Sequence, residues 1–347
     1  MEPITHFLTG ACLSRTGLNR KTALATATIT LAAEAPDLDV LGQIKGPVFG
    51  FAHHRGFTHS FLGLFLMSTV VVGFIYLIWR IRGRKISNPN LPPRWGLLFL
   101  FSYLAGLSHI LLDYTNNYGV RPFWPFSERW YSWDIVFIVE PAILILLTAG
   151  LVFPALSRWM RKSSNPIRSG PKGRLAATLA LVGVIALWGL RDFEHRRAVH
   201  FLRTMSYDGA PAIRASAYPY WWSPFRWYSV AETQNFYGTT VVDSAALRLT
   251  QINFYSKPAE TPVTLAAKRS FLGRVYLDWA QYPLVQSYPM TDSDAIAYRR
   301  VQFKDIRYAY PEMSGRDGLS AGVELNRSLE VVNESFGNRS QTVSPPN

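Results

Sequence analysis

The segment Leu107-Ser108-His109-Ile110-Leu111-Leu112-Asp113 sets an imidazole and a carboxylate four residues apart, which on a helix puts both on one face. Neutral imidazole nitrogen and carboxylate oxygen both suit zinc, manganese or iron, so this pair is a candidate for holding a divalent metal ion. A second concentration of such groups, His53-His54-Arg55-Gly56-Phe57-Thr58-His59-Ser60, offers three imidazoles, a guanidinium able to hold an anionic oxygen bidentately, and two hydroxyls able to cap a following helix. Gly56 would permit a tight backbone turn between them. Ala35-Pro36-Asp37-Leu38-Asp39 adds two carboxylates on a proline-restricted turn. With His6, five of the seven histidines fall within the first 109 residues.

The elements that must position these groups are apolar helices. Four stretches, 61–79, 95–112, 135–153 and 175–190, approach the ~20 apolar residues that cross a bilayer as a helix. Before them, 5–14 and 22–35 are rich in Ala, Thr and Gly, around a turn at 15–21. At 1.5 Å per residue these two helices are only about 15–21 Å long, so they are expected to form a hairpin packed against the other helices through small residues. Beyond residue 191, strand-like alternation at 226–233, 238–244, 247–255, 301–308 and 322–330 replaces the apolar runs. The expected fold is therefore a mainly α membrane bundle of a short hairpin plus four transmembrane helices, with a mainly β extramembrane domain. The expected divisions are 1–190, 191–332 and a loose polar tail, 333–347.

Charge supplies an orientation. The net charge of +13 first suggests an anionic partner, but its placement describes topology. Segments 14–21, 80–94 and 157–174 carry many Arg and Lys and no acidic residue, whereas 36–58 and 113–134 mix both signs. The positive-inside rule places the basic segments in the cytoplasm, and the mixed segments and the β domain outside. All the candidate site residues then fall at or near the outer ends of the helices. Glu140, six positions beyond Asp134 in an apolar run, is expected roughly 9 Å below that surface, near the depth of His109. It reads as a metal ligand, as an acceptor for a ligating imidazole N–H, or as a neutral acid bonded to a neighbouring helix. The N-terminus lacks a basic n-region and carries His6 and Gly10 where an apolar core would begin, so the first helices are expected to act as the insertion signal. Cys12, the single cysteine, excludes an intramolecular disulfide and argues against thiolate ligation.

The ordered set His6, Pro36-Asp37-Leu38-Asp39, His54-Arg55-Gly56-Phe57-Thr58-His59-Ser60 and Ser108-His109-Ile110-Leu111-Leu112-Asp113 with Gly119 resembles the bacterial membrane-bound metal-dependent hydrolases, also described as LexA-binding, inner-membrane-associated hydrolases. The similarity covers roughly residues 1–155. That family is held to be distantly related to zinc-dependent phospholipase C and the P1-type nucleases, whose clustered His/Asp zinc sites cleave phosphodiesters. The resemblance implies His6, Asp37, His54, His59, His109 and Asp113 as ligands. The chain departs from those enzymes in having no second His-x-x-x-Asp/Glu pair after His109, so that either one metal is absent or Glu140 helps to supply the deficit.

On these grounds the leading expectation is a hydrolase at the outer face of a bacterial inner membrane, using one or two divalent ions, zinc foremost with manganese or iron as alternatives. Asp37 and Asp39 are candidates for ligand and general base, and Arg55 for the anion-holding group. The substrate would be a phosphoester or another lipid-derived ester met at the bilayer surface, with membrane lipids as partners and nothing in the sequence arguing for nucleic-acid binding. The alternatives are a non-enzymatic membrane protein with a structural metal and a partner-binding β domain, and a transporter using His109 and Glu140. One-sided clustering argues against the transporter, whose sites usually lie near the bilayer midplane.

Overall fold

The structure is a computed structural model and describes residues 1–85, 90–160, 170–290, 299–313 and 319–343. The chain divides into two compact units. The first comprises 1–38, 55–194 and 219–224; the second comprises 39–54, 195–218 and 225–347. The segment 39–54 thus packs with the C-terminal half, although sequence order puts it in the membrane half.

The first unit is helical. α1 (Pro3–Arg15) and α2 (Ala25–Glu34) form the expected short hairpin. Their close approach depends on Gly10, where an added Cβ would stand 2.8 Å from the Ala33 Cβ and 3.0 Å from the Thr30 Cα. Small residues allow this kind of van der Waals packing where lipid removes the hydrophobic drive between helices. Ser60 caps the next long helix, its Oγ accepting the Gly63 N–H at 2.9 Å.

Among the described residues, three helices are long and apolar enough to cross a membrane: α4 (Phe61–Ile81), α5 (Trp95–Thr115), and 173–203 within α7 (Gly170–Arg203). Phe65, Val70, Phe74 and Leu77 on α4 are exposed, as a lipid-facing surface requires. The expected third span, 135–153, differs. Helix α6 (Pro141–Met160) has a shorter apolar part, 141–154, and starts at Pro141 rather than at Ile135. Residues 135 and 136 instead turn their N–H groups to the Thr115 carbonyl at the end of α5, both at 3.0 Å. Pro141 suits a first helical position because it has no N–H to satisfy there. Glu140 therefore precedes a helix and does not lie six positions inside one. α6 and α7 meet at Gly150, where a Cβ would be 2.6 Å from that of Ala180. Of the basic segments 80–94 and 157–174, residues 86–89 and 161–169 lie outside the described residues.

The second unit holds most of the β structure. One five-stranded antiparallel sheet has the order β12-β11-β10-β9-β8, from β8 (Pro283–Pro289), β9 (Arg299–Asp305), β10 (Ala321–Leu325), β11 (Val331–Phe336) and β12 (Arg339–Thr342). The other contains β3 (Arg214–Pro219), β4 (Arg226–Glu232), β5 (Phe236–Asp243) and β6 (Arg248–Leu249), with β7 (Asn253–Ser256) also on β5. A two-stranded hairpin, β1 (Ser206–Tyr207) with β2 (Ala210–Pro211), precedes them, and α8 (Pro262–Arg269) and α9 (Phe271–Trp279) separate the sheets in sequence. Helix α3 (Pro47–His53) joins this unit through Phe51, stacked at 4.1 Å on Phe336 and edge-on at 5.5 Å to Trp279. The stretch from 333, read as a loose tail, carries strands through Thr342. Its polarity misleads because the strands pair through backbone groups, and the buried Glu334 carboxylate accepts the Leu272 N–H at 3.0 Å.

Candidate metal centre

Helix α5 presents His109 and Asp113 on one buried face, with the imidazole Nε2 3.5 Å from the Asp113 Oδ2. A 3-10 turn, Phe57–His59, brings in His59, whose Nε2 lies 3.3 Å from the same oxygen and 3.1 Å from the His109 Nε2. The 3-10 segment Ala35–Lys45, which follows α2, supplies Asp37, its Oδ1 3.6 Å from His59 and 3.5 Å from His109. These four residues each direct one donor atom into a common space, all within 4.8 Å of one another. Corners of a tetrahedron about 2.0–2.1 Å from a central ion are about 3.3–3.4 Å apart. The five separations of 3.1–3.6 Å bracket that value.

The outward-facing polar atoms of His109, His59 and Asp113 are committed elsewhere, which is what aims their donors. The His109 Nδ1 is 2.7 Å from the Ala33 carbonyl, an acceptor only, so the neutral ring carries its proton there and leaves Nε2 bare. His59 Nδ1 meets the Thr58 hydroxyl at 3.1 Å. Asp113 Oδ1 accepts from Arg55 Nη2 at 2.9 Å and from Asn116 Nδ2 at 3.3 Å, and also meets the Met1 nitrogen. Asp113 Oδ2, facing the histidines, has no hydrogen-bond partner among the described residues. A buried carboxylate oxygen and two inward-facing imidazole nitrogens constitute a strongly cation-attracting site. The donor set therefore fits a divalent metal ion.

His6 completes the inner layer. Its ring stacks on His109 with centroids 3.7 Å apart, and its Nε2 lies 3.4 Å from the Asp113 Oδ1. Neither His6 ring nitrogen has a hydrogen-bond partner among the described residues, and the side chain is fully buried. His6, His59, His109 and Asp113 are closed to solvent, whereas the Asp37 side chain is 21% exposed, so water approaches this centre past Asp37. Burial opposes ionisation of Asp37, but the surrounding His109, His59 and His6 imidazoles favour its charged form and hold its carboxyl well below the usual carboxylate range. Nearby, burial together with Asp37 and Glu2 pushes Glu34 up to about 7.

The other expected site residues take different partners. Arg55, rather than Gly56, adopts the left-handed backbone conformation, with φ of 53°. Its guanidinium binds Asp113, the Asn116 Oδ1 at 3.2 Å and the Gly119 carbonyl at 3.1 Å, and lies over the Tyr118 ring. It holds a ligand in place within the protein. His54 Nδ1 pairs with Asp39 Oδ1 at 3.0 Å in the second unit. Glu140 accepts from Arg191 Nη2 at 2.9 Å, and the same nitrogen reaches the Tyr220 carbonyl. Asn116, Tyr118 and the Ala33 carbonyl escaped the sequence reading. Only Asn116 had a signal, lying three residues beyond Asp113 on the same helix end.

The sequence model of the YdjM inner membrane protein family matches residues 1–198. The Bacillus subtilis (strain 168) protein YfhP is 26% identical over 347 residues, spanning 97% of this chain and 95% of its own. The inner membrane protein YbcI of Escherichia coli (strain K12) is 36% identical over 151 residues, covering 40% of this chain and 78% of its own. No solved structure matches.

Proposed function

The chain belongs to the YdjM inner membrane protein family, and from that premise we propose that it is a membrane-bound, metal-dependent hydrolase acting on ester bonds of bilayer-derived substrates. The observation that carries this reading is the convergence of the Asp37, His59, His109 and Asp113 donors within 4.8 Å, five of their separations close to tetrahedral edges, with an exposed edge at Asp37. Zinc suits two imidazoles and two carboxylates at these separations. A bound divalent ion would activate water and polarise the scissile group. His59, His109 and Asp113 would hold it, with His6 beside them as a further donor. Asp37, the one member open to water, would both ligate and accept a proton at its free oxygen. Arg55 acts on Asp113, fixing which carboxylate oxygen faces the ion. The site lies toward the outer face, with the C-terminal unit extracytoplasmic, on the positive-inside asymmetry of the connecting segments.

A second reading draws on the same closure. Four protein donors, three of them sealed from solvent, suit a structural ion, since catalytic sites usually keep a coordination position open. The β unit would then bind a partner. Metal analysis of the purified protein, followed by assay on phosphodiester and carboxylic-ester lipids in mixed micelles, separates the two. Stoichiometric metal with turnover abolished by chelation is expected. Stoichiometric metal with no turnover of either ester class assigns the structural role, and no metal removes both.

A further inference from the structure

Beside the basic segments of the first unit, lined by none of the residues of the His/Asp centre, a groove of about 790 Å³ runs between the start of α2 and the end of α4. Its size falls in the ~300–1,000 Å³ range of sites that take a small ligand. One wall is apolar, made by Leu31, Ile75 and Ile78, of which Leu31 and Ile78 are exposed. The mouth carries Arg82 and Lys85, both exposed, and neither has an ion-pair partner among the described residues. No acidic residue occurs in 14–31 or 75–95, so nothing on the segments that line the groove offsets these cations.

Two further features favour an anion. Residues 23–27 line the groove and lead into and open α2, a helix whose first turn receives no side-chain cap because Leu24 occupies the cap position with φ of 67°. The amides of that turn present partial positive charge. Beside the mouth, Trp79 lies against Trp95 at 5.4 Å, and Tyr76 against Trp95 at 5.0 Å. Aromatic clusters of this kind sit at the level of lipid headgroups. The groove therefore passes from hydrocarbon depth to headgroup depth, apolar at one end and cationic at the other.

We propose that this groove binds one anionic phospholipid, its phosphate at Arg82, Lys85 and the α2 N-terminus and the upper part of one acyl chain along Leu31, Ile75 and Ile78. This site is separate from the metal centre, and its test does not depend on hydrolysis. The probe is phosphatidylglycerol, titrated into the full-length protein in detergent and read by native mass spectrometry, with phosphatidylcholine and glycerol 3-phosphate in parallel. One phosphatidylglycerol should bind preferentially. Arg82→Ala and Lys85→Ala should each weaken it roughly fivefold, as expected for one cation near an anionic headgroup. Ala27→Trp, at an exposed position on the groove wall, should abolish binding by filling the space while leaving the metal content unchanged. Equal binding of phosphatidylcholine, or wild-type phosphatidylglycerol binding in both the double alanine variant and Ala27→Trp, would overturn the proposal. Equally tight binding of glycerol 3-phosphate would do so too, by removing the acyl-chain contact.

Discussion

Arg55→Met would remove the guanidinium that pairs with Asp113 while keeping an unbranched, uncharged stem. At 2.9 Å and an effective dielectric of 20, the attraction between the two charges is about 6 kcal/mol before desolvation is subtracted. Both groups are buried, and removing one partner of a buried pair typically costs about 3–5 kcal/mol, because the other charge is left uncompensated. Asp113 would keep the Asn116 amide at 3.3 Å and the Met1 nitrogen, so the lower half of that range is expected for the metal-free protein. With metal bound the loss should be smaller, since the cation itself compensates Asp113. Added zinc should therefore stabilise the variant more than it stabilises the wild type. The assay is denaturation of the purified protein in detergent, with chelator and with excess zinc. Arg55→Lys, which keeps the charge but not the fork, should fall between the two. Equal destabilisation in both conditions would show that Asp113 does not face the ion.

Other outcomes follow from the same contacts. His59→Ala, His109→Ala and Asp113→Ala should each lower bound metal markedly by elemental analysis, whereas His195→Ala, whose Nε2 meets the Ala217 carbonyl in the second unit, should not. Glu140→Gln should weaken the pair with Arg191 and lower stability by about 1–3 kcal/mol with metal content retained, and loss of metal at unchanged stability would return Glu140 to the site. Gly10→Val should cost about 1–3 kcal/mol by forcing α1 from α2, read as a lowered melting temperature. Glu34 has a folded value of about 7, above the ~4.3 of a free glutamate, so the folded state binds more protons between these values and metal-free stability should fall as pH rises across them. Glu34→Gln should flatten that slope, and an unchanged slope would locate the titration elsewhere.

The local content of the centre was legible in the sequence. His109 and Asp113 share a face because helical periodicity leaves no alternative once 95–112 is read as a helix. The α1–α2 hairpin followed from small residues, and a cap at Thr58 or Ser60 from hydroxyls beside an apolar run; the structure uses Ser60. The alternation of Val301, Phe303 and Asp305 likewise announced β9, where all three are buried. Which residues of a cluster converge is a different kind of question. His54 and His59 are five residues apart and chemically identical, yet one meets Asp39 and the other meets Asp113. Asp37 and Asp39 part in the same way. Burial of Glu140 implied a partner, but not that α7 would supply it as Arg191 from 51 positions away. Spacing along the chain determines what shares one helix face. Which donors meet across helices, and which charges compensate each other, depends on contacts between distant segments, and only the tertiary structure decides those.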